Sequence, residues 1–320
     1  MGIGFQVTFA ASPTQHSKKE VFEMSSFFTL PKTWDEYLKV NSEFSDTQIY
    51  KFLGTGLYSE FNCLSISMLS AFRKHKRLIV ETDRLTMCKW HDLFGTELPT
   101  IEAEAIVSSQ SSEALNLRRL RKNSVFLDAL GVPLWLGQKY GFCSVFKARA
   151  AIAKILHVPS FPIPAPFDYT HTKFCSVQIR GGDKVDGYWV NGELVIEGEK
   201  SSTESYSRLL EKYARNVDVV FVLSDDFQEY TKLVEAMPSK KFFSLCGEGE
   251  NGYVHAEFLK LDQAEKTEAL QRLVASVHIS GHSSFFVGPF KANPSRTIPL
   301  LQGSKAISAS TDDASRWKAN

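Results

Sequence analysis

The chain has 320 residues, 43% of them apolar and 23% charged, with a formal net charge of +1. That length exceeds the usual span of one hydrophobic core, so about two domains are expected, and the interspersed charges leave no broad field that would point to nucleic acid or an anionic membrane. Any anion the protein binds has to be held locally.

Five scattered cysteines, Cys63, Cys88, Cys143, Cys175 and Cys246, contain no C-x-x-C pair, which argues against a disulfide framework and a zinc site. They read as buried thiols. Residues 1–14 carry an apolar patch but no basic start, and nothing near the ~20 apolar residues that a spanning helix needs. The expectation is a cytoplasmic protein, or a lumenal domain of the secretory pathway whose anchor lies outside this sequence.

In chain order, Ile49–Leu53 predicts a short strand and Gly54-Thr-Gly56 a tight turn. A helix comes next, with Phe61, Leu64, Met68 and Phe72 at helical spacing. Arg77–Thr82 predicts a second strand, so the unit is strand, glycine turn, helix, strand, as in a parallel sheet with a crossover. The two glycines either let a ligand approach the backbone or simply let the chain turn. Ser108–Ser112 reads as loop. Four prolines in Val158–Pro166 mark a stiff linker, which divides the chain into an α/β domain at 1–160 and a second at 167–310, with 311–320 as a tail. The run from Ser308 onward reads as a frayed end.

The second half alternates more regularly: strand Phe174–Ile179, helix Thr203–Arg215, strand Val217–Ser224, helix Asp226–Ala236, strand Lys241–Leu245, helix Asp262–Val274, strand Ser283–Gly288 and helix Pro294–Leu301. Near-continuous apolar strands between amphipathic helices predict a parallel sheet covered on both faces, and such sheets bind ligands beyond the carboxyl ends of their strands. Between the first strand and helix, Tyr188–Ile196 predicts a hairpin around Asn191-Gly192. Its Tyr188 and Trp189 either stack on a sugar or pack onto the domain.

Three polar segments begin where a predicted strand ends: Arg180-Gly-Gly-Asp-Lys184, Ser224-Asp-Asp226 and Gly288–Arg296. Arg180 can hold a diphosphate through paired charge-assisted hydrogen bonds, and Gly181-Gly182 removes side chains that would block close approach. Lys184 adds a point charge, while Asp183 either holds the cations or pairs with Lys184 in a solvated turn. In Ser224-Asp225-Asp226, the side chains either cap the next helix or turn a carboxylate toward nucleotide or sugar. Asn293 reads as a helix cap with Pro294 first in the helix. That start offers N–H groups to a phosphate with Arg296 a turn in, or else Arg296 makes a surface ion pair. The acids and eight histidines form no metal-ligand spacing, and His278 and His282 read as structural.

These segments, in this order, resemble the GDP-fucose transferase superfamily of α1,6-, α1,2- and protein O-fucosyltransferases and short nodulation enzymes. Its strand-end motifs correspond to Gln178-Ile-Arg180-Gly-Gly-Asp-Lys184, Ser224-Asp-Asp226 and Val287–Phe290 leading to Arg296. The N-terminal Gly54–Asn62 resembles its glycine turn. The resemblance implies an α/β fold of GT-B type, two Rossmann-like domains with parallel sheets facing a cleft, the donor on the C-terminal side and the acceptor on the other. It implies inverting transfer of fucose from GDP-fucose to a glycan or glycoconjugate hydroxyl, with no metal and no cofactor beyond the donor. Arg180 and Lys184 would stabilise the leaving diphosphate. The donor site would take in Gly54, Gly56, Asn62, Gln178, Gly182, Asp183, Ser224, Asp225, Asp226, Asn293, Ser295 and Arg296. The family histidine is Gln178 here, its second arginine is Gly181, its serine pair falls on Lys291-Ala292, and the position of one group's base is Tyr188, leaving Asp186 or Glu193 to take the proton. A different nucleotide sugar, or a non-catalytic binding module, also fits this pattern.

Overall fold

The computed structural model describes residues 30–52, 54–85, 87–100, 142–190, 193–195, 200–289, 292–303, 307–311 and 316–318. Contacts gather Pro31–Asn320 into one compact unit.

Helix α1 (Trp34–Glu43) starts at Thr33, whose side chain accepts the Glu36 N–H. It docks through buried Asn41, which exchanges two hydrogen bonds with the Leu78 backbone. Strands β1 (Asp46–Lys51) and β2 (Lys76–Glu81) pair in parallel, Ile49 beside Ile79. Strand β1 thus begins three residues before its predicted start, because buried Gln48 is tied by its side chain to the Ser67 carbonyl. Helix α2 (Leu57–Arg73) joins the two strands and buries Phe61, Leu64, Met68 and Phe72, as their spacing predicts.

An additional helix, α3 (Phe142–Leu156), has no counterpart among the predicted elements. It buries Ala150, Ile152, Ala153, Ile155 and Leu156 and packs against α2 and a helix of the second half. The proline segment after it folds back on the first half: Pro159 bridges Phe94, and Gly95 N–H reaches the Val158 carbonyl at 2.7 Å.

The second half carries β3 (Phe174–Gln178), α4 (Asp183–Asp186), β4 (Tyr188–Val190), β5 (Glu193–Val195), α5 (Thr203–Tyr213), β6 (Val219–Leu223), α6 (Phe227–Ala236), β7 (Lys241–Ser244), α7 (His255–Lys260), α8 (Gln263–Gly281), β8 (Phe285–Gly288), α9 (Asn293–Gln302), β9 (Ile307–Ser310) and β10 (Arg316–Lys318). The main sheet runs β10-β9-β8-β3-β6-β7, parallel except for β10. Alternation sorts its strands between two cores. Cys175, Val177, Val220 and Val222 join Leu209, Leu210 and Leu233 on one face, while Phe174 and Phe221 join Ile279, Phe167 and Tyr169 on the other. Both faces are therefore covered. The predicted hairpin forms as β4 and β5, with its Asn191-Gly192 turn outside the described residues.

Two elements extend past their predicted ends. Helix α8 runs seven residues beyond Val274, since Ala275, Val277 and Ile279 keep the buried stripe going. The run read as a frayed end supplies β9 and β10, which satisfy the backbone groups along the β8 edge. Their small, polar residues lack the alternation that would announce a strand.

Candidate functional site

A cavity of about 930 Å³ lies beyond the carboxyl ends of β3, β6 and β7. Its facing wall is the turn after β1 and the first residues of α2, Gly54 to Ser59, and the start of α9 closes one side with Asn293 and Pro294. This is the volume of a small-ligand site. All three strand-end segments and the N-terminal glycine turn contribute to it.

Arg180 comes directly after β3 and lines the cavity. No hydrogen bond or ion pair ties its guanidinium to another described residue, and its charge is felt by Asp225 and Tyr253. A half-buried guanidinium with no fixed partner among the described residues, at the end of a central parallel strand, is available to a ligand oxyanion. Lys184 belongs to α4, but its side chain lies outside the described residues.

The glycines beside Arg180 have a different task from the one expected. Gly182 has φ +69°, and a Cβ there would lie 2.1 Å from the Tyr253 carbonyl, while one on Gly181 would lie 2.8 Å from an Asp226 carboxylate oxygen. Their missing side chains admit the neighbouring protein backbone and Asp226. Gly182 accordingly does not line the cavity.

The two aspartates after β6 divide the roles left open by the sequence. Asp226 caps α6, its Oδ1 accepting the Glu229 N–H at 3.0 Å, with Lys200 at 4.0 Å. Asp225 lines the cavity, accepts the Gly181 N–H at 2.8 Å and is pushed up to about 6 by burial, against the opposing pull of that N–H and of Arg180. Ser224 also lines the cavity, while its hydroxyl accepts the Asp226 N–H. Asp183 presents one oxygen to the His255 N–H at 2.7 Å; its buried Oδ1 has no partner among the described residues.

Four expected donor residues form ties that hold the wall, Gln178 and Asn293 within it and Ser295 and Asn62 behind it. Ser295 donates its hydroxyl to Gln178 Oε1, joining α9 to the end of β3; only Gln178 of this pair faces the cavity. Asn62 donates to the Asn293 carbonyl and accepts from Thr297, both at 3.2 Å, joining α2 to α9. The α9 cap is Ala292 without a side-chain bond, so Asn293 is the first helical residue and Pro294 the second, and the helix starts one residue earlier than expected. Arg296 is exposed and Asp186 ends α4 exposed; neither lines the cavity.

The loop from Cys246 to His255 is not among the segments expected to carry the site. Gly249 to His255 nevertheless form a large part of the wall, held by Arg272 to Glu250 at 2.9 Å and by the Gly252 N–H to the Asp225 carbonyl. Its signal in the sequence is a glycine-rich run directly after a strand of the parallel sheet. Tyr253 is raised to about 12 by burial and the Asp183 charge, with Arg180 opposing. In the facing wall, buried Glu60 accepts the Thr55 N–H and hydroxyl at 2.7 Å and the Tyr50 hydroxyl, which fixes the glycine turn. Among the described residues, no group of three or more His, Cys, Asp or Glu could hold a metal, and no helix is long and apolar enough to cross a membrane. His278 stacks on buried His157, whose ring meets the Tyr58 hydroxyl; burial lowers them to about 4 and about 3, so both are neutral packing groups at neutral pH.

Two parallel sheets on either side of one cavity make this an α/β fold of the GT-B type. It is a fucosyltransferase-like fold in particular: the fucosyltransferase NodZ from Bradyrhizobium aligns with a TM-score of 0.52 at 10% identity, over 86% of this chain and 100% of that one. A mutant of FUT1 from Arabidopsis thaliana in complex with GDP aligns at 0.49 and 11% identity, over 92% of this chain and 77% of that one. No protein-family model and no curated protein sequence matches the chain.

Proposed function

We propose that the chain is a glycosyltransferase that moves fucose from GDP-fucose to a hydroxyl of a glycan or glycoconjugate, inverting the anomeric centre and needing no metal. The observation that carries the reading is Arg180, a guanidinium unpaired among the described residues at the carboxyl end of β3, lining a cavity faced by the uncapped start of α2 and closed on one side by that of α9. Free N–H groups at helix starts and a planar cation together suit a diphosphate. The fold likeness to a fucosyltransferase favours fucose among the sugars.

In this reading the acceptor hydroxyl attacks the anomeric carbon from the face away from the diphosphate. The bond to the diphosphate breaks, and the charge gathering on it is met by Arg180, with Lys184 as a second cation. Charge stabilisation of this kind is often a large part of catalysis. The acceptor proton passes to a carboxylate of α4, either Asp183 in the cavity wall, one oxygen of which has no partner among the described residues, or exposed Asp186 three residues on. Asp225, engaged with the Gly181 N–H, holds the Arg180 loop in place.

Thermal melting with GDP, GDP-fucose and UDP tests the reading. GDP and GDP-fucose should stabilise the protein, by about 2.7 kcal/mol at a hundredfold excess over Kd, UDP should not, and Arg180→Ala should erase the effect. No stabilisation by GDP, with Arg180→Ala melting curves identical to wild type under every nucleotide, would sink it. GDP binding with no donor hydrolysis, with or without glycan acceptors, would instead make the protein a non-catalytic nucleotide-binding module.

A further inference from the structure

Helix α3 carries an arginine on a surface that is otherwise apolar or small. Arg149 sits one residue before buried Ala150 and three before buried Ile152, where α3 packs on α2 and α9. Its Nε is shielded from solvent, and among the described residues neither a hydrogen bond nor an ion pair holds its guanidinium. The charge acting on it most is another cation, Arg296 in the first turn of α9; the Cys63 thiol on α2 is the other group it feels. Burial first, and then the Arg296 charge, lower Arg149 to about 10. A guanidinium taken from water without a counter-ion, beside a like charge, opposes folding. An anion held by Arg149 would offset both penalties.

We infer that the junction of α2, α3 and α9 is an anion-binding point, where Arg149, with Arg296 beside it, receives a phosphate, sulfate or carboxylate group. The guanidinium fork suits two oxygens of such a group. Neither arginine lines the cavity, yet Asn293 and Pro294, in the same turn as Arg296, do. Asn62, next in sequence to Cys63, bonds the Asn293 carbonyl. The point therefore adjoins the cavity from behind the α9 start. Two sources offer the same chemistry, the diphosphate of a nucleotide and an anionic group on an acceptor, and the inference does not depend on the proposed transferase activity.

The test is thermal melting of the full chain in sodium sulfate against sodium chloride at matched ionic strength, for wild type, Arg149→Met, Arg149→Lys and Arg180→Ala. Wild type should melt several degrees higher in sulfate. Arg149→Met should lose that increment and, in chloride, melt at or above wild type, because the buried charge is gone. Arg149→Lys, which keeps charge and stem, should retain less than half of the increment, and it carries the test should Arg149→Met fail to fold. Equal sulfate increments in wild type and in the Arg149 variants, or no increment in wild type, would overturn the inference. A GDP titration then separates the sources. A tenfold weaker GDP affinity in Arg149→Met supports the point with the diphosphate as its anion. Unchanged GDP affinity, or no GDP binding by any form, together with a lost sulfate increment, supports it with a separate anion.

Discussion

Two glycine turns face each other across the cavity, and they use glycine for opposite ends. After β3, Gly181 and Gly182 are filled against by protein: the Tyr253 backbone and Asp226 occupy the space a side chain would take. After β1, a Cβ on Gly56 would meet nothing within 4 Å, and one on Gly54 only the Arg84 carbonyl at 3.7 Å. The first turn is a packing joint that aims Arg180, while the second leaves open space where α2 begins. A glycine pair beside a cavity-lining arginine is thus not by itself a sign that a ligand touches the backbone.

The packing joint should break hardest at Gly182. Alanine there combines a positive φ open almost only to glycine with a methyl driven into a backbone carbonyl, so urea denaturation should show a loss of about 4 kcal/mol. A loss below about 1 kcal/mol would mean that the Tyr253 loop yields, and the contrast between the turns would fall.

Next in size is the carboxylate that the joint holds. Asp225 sits at about 6 in the folded chain against an ordinary 3.8, so the folded state binds the extra proton between those values. Its contribution is most favourable below pH 4 and is lost as the pH rises through 6, worth up to about 3 kcal/mol. Asp225→Asn should remove that decline from the stability-against-pH curve; identical slopes in the two proteins between pH 4 and 6 would refute the assignment. Gly181→Ala should be milder than Gly182→Ala, at about 1–2 kcal/mol, because its methyl meets a side chain that can swing away at the expense of the α6 cap.

These contrasts also mark what the sequence could show. The alternation of Cys175 and Val177 against Phe174, repeated by Val220 and Val222 against Phe221, announces a sheet covered on both faces, and with it the strand ends where Arg180 and Asp225 stand. Which aspartate of Asp225-Asp226 caps α6 was not legible, since both are capping residues and only the three-dimensional path of the chain decides. The Tyr253 loop escaped because it has no periodicity, and its importance lies in a contact with Gly182 some seventy positions earlier in the chain. Arg149 was hidden for a similar reason: nothing local shows that a cation in an alanine-rich helix faces a second cation on α9.

The smallest effect on stability should come from the open turn, and it decides between the two uses of glycine. Gly56 is the N-cap of α2 at φ −64° and ψ 149°, a conformation open to any residue, and it makes no side-chain cap bond. Serine fits that position and supplies the missing acceptor, so Gly56→Ser should leave stability unchanged or raise it by about 0.5 kcal/mol. The added hydroxymethyl would nevertheless project toward the N–H groups that the proposed reading assigns to the diphosphate. GDP affinity, measured by calorimetric titration, should therefore fall about tenfold, or about 1.4 kcal/mol, while the melting temperature holds. If GDP binds Gly56→Ser as tightly as wild type, the turn after β1 serves only to reverse the chain, and the ligand approaches the Arg180 side alone.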